Sequence, residues 1–64
     1  MTERALEKLP DSCRIHLGLL KKDYDMGYRK SETRIRISAY LTALRDTAVI
    51  TDTEKRALFC YYTL

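Results

Sequence analysis

The stretch DSCRIHLGLLKKDYDMGY, residues 11–28, decides the fold class. At roughly 100° per residue, Cys13, Leu17, Leu20, Tyr24 and Tyr28 fall on one narrow stripe, with His16 and Gly27 at its edge. That spacing predicts a long amphipathic helix from Asp11 to about Tyr28 with the stripe as its core side. Asp11 or Ser12 supplies a side-chain oxygen to cap its first turn, and Lys21 pairs with Asp25 one turn on. Gly18 weakens the helix slightly. Gly27, Arg29 and Lys30 suit its end, which places a break near residues 27–31. Nearly opposite the core stripe stand Ile15, Leu19 and Met26, set apart from it by Arg14, Lys21, Asp23 and Asp25. The helix therefore carries two apolar faces, and the second has to meet something.

Outward from this helix the chain reads as more of the same. Upstream, a short helix over about Glu3–Leu9 begins after Thr2 and is stopped by Pro10. Downstream, Ser31 reads as the cap of a third helix reaching about Ala48. Its main stripe is Ile37, Tyr40, Leu41, Leu44 and Ala48, and Ile35, Ala39 and Ala43 form a smaller, close-packing one. The sharpest boundary is Thr51-Asp52-Thr53-Glu54, a capping box that opens a last helix running almost to Leu64. In that helix Ala57, Leu58, Tyr61 and Leu64 face one way with Cys60 beside them, while Phe59 and Tyr62 turn toward Lys55 and Arg56. Val49, Ile50 and Thr51 are the only β-branched cluster, too short to found a sheet. The expected fold is all-α: a small three-helix bundle with a short additional N-terminal helix, residues 1–64 forming a single helical domain.

Composition supports a folded chain and excludes several classes. With 64 residues, 45% apolar and 33% charged, and only two Gly and one Pro, the sequence is neither collagen-like nor low-complexity. No apolar run approaches the roughly 18 residues of a membrane span, and MTERALEK lacks the hydrophobic core of a signal peptide. A cytoplasmic location with no membrane partner is expected. In that reducing setting Cys13 and Cys60 read as small buried hydrophobes in place of a disulfide. A chain of this size buries only about 60% of its unfolded surface, which makes a partner chain an economical supplement to its core.

Candidate chemistry is sparse. His16, the only histidine, follows Cys13 by three residues on one side of the helix, the arrangement of a Cys–His nucleophilic pair. No third group is placed by the sequence to orient the imidazole, and no Gly-rich loop offers an oxyanion site, so a half-buried histidine beside a core cysteine is preferred. Cys13, His16 and Cys60 give three soft metal ligands where structural zinc takes four. No phosphate loop, dinucleotide fingerprint or calcium loop is present. The expectation is therefore no enzyme, no metal or other cofactor, and no small-molecule substrate.

Two binding functions remain. The leading one is a small interaction or regulatory module that associates with a protein partner or with itself as a homodimer. It would use Ile15, Leu19 and Met26, or the aromatic side of the last helix at Phe59 and Tyr62. The competing account of those faces is that they pack on Leu6 and Leu9 and on one another inside the bundle. The alternative function is DNA or other nucleic-acid binding through Arg29, Lys30, Arg34 and Arg36 at the turn between helices, chiefly by phosphate contact. The net charge of +3 permits this without requiring it, and Glu32 sits within the cluster. A helix-turn-helix in which the last helix reads bases through Lys55, Arg56 and Phe59 is disfavoured, because Asp52 and Glu54 occupy the end that would approach the phosphates.

Overall fold

Pro10 separates the first two helices, α1 (Thr2–Lys8) and α2 (Asp11–Asp25), and its carbonyl accepts the amides of Cys13 and Arg14 at 3.0 and 3.1 Å. Pro10 is thus the N-cap of α2, with no side-chain cap bond; Asp11 and Ser12, expected there, lie inside the first turn. A cap is set by backbone geometry, and the extended ψ of 151° at Pro10 starts the helix one residue early. Asp11 instead pairs with Arg14 and favours the positive helix end. The computed structural model describes residues 2–64, completed by α3 (Lys30–Asp46) and α4 (Asp52–Tyr62). No strand occurs among the described residues, so the fold is all-α. None of their helices is long and apolar enough to cross a membrane.

The two later interhelical turns follow α-helix ends of one kind. After α2, the amide of Gly27 donates to the Tyr24 carbonyl and that of Tyr28 to the Asp23 carbonyl, with Gly27 left-handed at φ 77°. After α3, Ala48 and Val49 make the same two bonds to Arg45 and Leu44, but the left-handed residue is Ala48, at φ 62°. These turns end the helices sooner than the apolar spacing implied. Tyr28 and Ala48, expected on core stripes, stand beyond the helix ends and are exposed. Ser31 is not the cap of α3 either. Arg29 holds that place in left-handed geometry without a side-chain cap, and the buried Thr33 secures the start by donating its hydroxyl to the Tyr28 carbonyl at 3.2 Å.

The core forms where α2, α3 and α4 contact one another and α1 lies on α4. Leu17 and Leu20 enter from α2, Ile37 and Leu41 from α3, Leu58 and Tyr62 from α4, and Ala5 and Leu9 from the α1 segment. Ile50 joins them from the last turn, a loop residue anchored in the core. Thr51 and Glu54 form the expected capping box, with the Glu54 amide donating to the Thr51 hydroxyl at 3.1 Å and the Thr51 amide to Glu54 Oε1 at 2.8 Å.

Candidate functional site

The outer side of α2 is where apolar surface is left over. Ile15 is 65% exposed, Leu19 61% and Met26 72%, so the first and leading set of expected partner residues is open to solvent. Leu6 and Leu9 do not cover them: α1 packs on α4, where Leu9 is buried. Gly18 lies on the same outward part of the helix. A methyl group added at Gly18 would meet nothing within 4 Å, so no packing inside the chain explains a residue that costs a helix about 1 kcal/mol relative to alanine. Sequence spacing revealed the stripe but gave Gly18 no part in it, because only coordinates show that its surroundings are empty.

The aromatic side of α4 is different. Tyr62 is 4% exposed and belongs to the core, and Phe59 is half-buried against it. The buried line of α4 is Glu54, Leu58 and Tyr62, rotated from the one drawn through Ala57, Leu58, Tyr61 and Leu64; Tyr61 and Leu64 are exposed. The polar Glu54 masked that line. It is buried because its carboxylate is used twice, in the capping box and in an ion pair with Lys8 at 2.8 Å. On α3, Ile35, Ala39 and Ala43 face solvent, and no helix among the described residues covers them.

No protein family, curated sequence or solved structure matches this chain. Its function is read from its own residues.

Four cations that are neighbours in sequence are dispersed by the helix. Arg34 and Arg36, two residues apart, point about 160° away from each other. Arg34 crosses to α4 and stacks over the Phe59 ring at 5.5 Å. Lys30 sits over Tyr24 at 4.9 Å, and Arg29 over Tyr28 at 5.5 Å while pairing with Glu32 at 3.7 Å. A single patch of Arg29, Lys30, Arg34 and Arg36 is therefore not assembled. The fold instead joins Arg34 to Lys55, Arg56, Phe59, Cys60 and Ser38, the last five lining a groove of about 360 Å³ between α3 and α4.

Cys13 and His16 do acquire a third neighbour, Tyr40. The His16 and Tyr40 rings stack with centroids 4.6 Å apart. A hydrogen bond with Cys13, then burial, then the charge of an ionised Cys13 push the Tyr40 hydroxyl up to about 12. A phenol held so firmly in its protonated form orients and packs, and does not take a proton from the thiol at neutral pH. Cys60, expected to be buried, is exposed on α4, because the core side of that helix passes through Leu58 and Tyr62 instead. Among the described residues no three His, Cys, Asp or Glu side chains converge as metal ligands.

Proposed function

We propose that this chain is a small helical interaction module that associates with a second copy of itself through the outer face of α2. The supporting observation is the uncovered line of Ile15, Leu19 and Met26 beside a helical glycine with empty space over it. Exposed apolar stripes mark association surfaces, and a glycine lets a neighbouring helix approach closely. In this reading α2, α3 and α4 form a three-helix bundle and α1 straps its α4 side.

Charge favours a copy of the same helix over an unrelated partner. Asp11 and Lys22 are three turns apart and differ by only about 20° around α2, so both border the stripe on one side. Two copies crossing antiparallel set each Asp11 against the opposing Lys22, whereas a parallel pair leaves them on opposite flanks of the seam. The pairing of Asp11 with Arg14 is a surface one and leaves its carboxylate accessible. Three side chains and one helix face fall short of the roughly 800 Å² per partner of stable complexes, so the association is weak, reversible and concentration-dependent.

Sedimentation velocity over a range of concentrations tests the reading. Leu19→Asp is expected to abolish association while far-ultraviolet circular dichroism stays that of the folded monomer. Loss of helicity together with association would make Leu19 a core residue. Gly18→Ala is expected to raise monomer stability by about 1 kcal/mol and to weaken association. Unchanged association in that variant would remove the close approach at Gly18.

A further inference from the structure

We infer that the seam between α3 and α4 is a binding groove for the backbone of single-stranded nucleic acid. The residues are independent of the α2 face. Arg34 reaches from α3 over the Phe59 ring, Lys55 and Arg56 follow on α4, and the half-buried Phe59 and Ser38 lie between them. Among the described residues Arg34 and Lys55 have no carboxylate partner, and Arg56 has only the exposed Asp52 at 3.5 Å. From Lys55 to Leu64 the chain contains no acid at all. Of the acids nearest the seam, Glu32 pairs with Arg29, Asp46 with Arg45 at 3.2 Å, and Asp52 is shared between Arg45 at 3.0 Å and Arg56 at 3.5 Å.

A cationic furrow interrupted by an aromatic ring is how proteins track a single strand: the cations follow the phosphates, and ring and guanidinium planes offer the bases a stacking surface. Arg34 already lies over Phe59, so that surface is preassembled. A duplex is served poorly. The N-terminal end of α4, which would enter a major groove, carries Asp52 and Glu54. An acidic polypeptide would satisfy the charges but would leave the stacking surface without a use. All of the chain's net positive charge comes from residues 15–44, where six cations face three acids; the remaining six and six cancel. The four cations invoked for phosphate contact by sequence position alone thus have different fates: Arg34 joins the seam, Lys30 lies over Tyr24 of α2, Arg29 is neutralised by Glu32, and Arg36 turns away.

The test is fluorescence anisotropy of a labelled oligothymidylate of about 20 nucleotides, titrated with the full chain at about 50 and about 200 mM salt. Three phosphate contacts give a log–log salt slope of about −2.1, or roughly a 20-fold loss of affinity across that range. Arg34→Ala and Lys55→Ala are each expected to shrink the slope by about 0.7, and Arg36→Ala to leave it unchanged. Arg56→Ala, in a side chain 82% exposed, repeats the test where packing is not at stake. Four results would overturn the inference: no binding at the lower salt, equal effects of Arg36→Ala and Lys55→Ala, tighter binding of a duplex of the same length, or displacement of the strand by polyglutamate at matched charge.

Discussion

Lys8 Nζ lies 2.8 Å from Glu54 Oε2, which fastens α1 to the first turn of α4 through the same carboxylate that closes the capping box. The Lys8 contact first, and the Thr51 amide second, hold the Glu54 carboxyl below its ordinary range. A carboxylate depressed on folding adds stability above its unfolded value of about 4.3, and that contribution disappears as the pH falls through the lower folded value. Asp52, held down chiefly by Arg45, acts in the same direction. Urea midpoints measured against pH are expected to be flat near neutrality and to fall below about pH 4. Glu54→Gln should lower the neutral plateau and flatten that acid limb, while Lys8→Ala should lower the plateau and leave the capping box in place.

Ala48 adopts the left-handed conformation that Gly27 occupies at the corresponding place after α2. A left-handed alanine costs about 1–2 kcal/mol, of which a glycine's extra freedom in the unfolded chain offsets part. Ala48→Gly is therefore expected to stabilise the protein by up to about 1 kcal/mol, which in a domain this small raises Tm by about 4–8 °C. Thermal unfolding followed by circular dichroism measures it. An unchanged or lower Tm would mean that the turn after α3 is not strained.

The sequence disclosed what local chemistry dictates and missed what depends on the surroundings. Thr51 and Glu54 announced the start of α4 because a capping box is complete within four residues. Leu17, Leu20, Ile37 and Leu41 announced the core because helical period alone places them together. Helical spacing alone turns Tyr62 toward Lys55 and Arg56, because burial of Glu54 depends on Lys8, 46 positions away in the chain and visible only once α1 lies on α4. Proximity in sequence groups Arg34 with Arg36, although a helix separates residues two apart; only the position of α4 shows which of them joins Lys55. The stripe of Ile15, Leu19 and Met26 was legible as a pattern, but whether another helix covered it was a tertiary question.

Core and outer apolar residues should respond to truncation with very different magnitudes. Leu41 is fully buried, and Leu41→Ala is expected to cost about 2–5 kcal/mol, most of the roughly 3–10 kcal/mol available to a chain of this length. Leu19→Ala should change monomer stability by less than about 0.5 kcal/mol. Denaturant unfolding at low protein concentration separates them, and comparable losses would contradict the assignment of Leu19 to the outer face.

The Tyr40 hydroxyl supplies a spectroscopic handle on the Cys13–Tyr40 contact. Ultraviolet absorbance titration in alkali is expected to show one phenol ionising at about 12, and Cys13→Ala should bring it down. Because folding raises this value above the unfolded value of about 10, the stabilisation is complete below pH 10 and is lost as the pH rises through the folded value. A titration without a late phase would remove the contact.

Backbone amide shifts recorded by NMR during serial dilution address the α2 face most directly. Self-association through that face predicts concentration-dependent shifts centred on Ile15, Gly18, Leu19, Lys22 and Met26, with the amides of Leu41 and Leu58 unmoved. Spectra that do not change with concentration, or changes centred on α1 or α4, would contradict it.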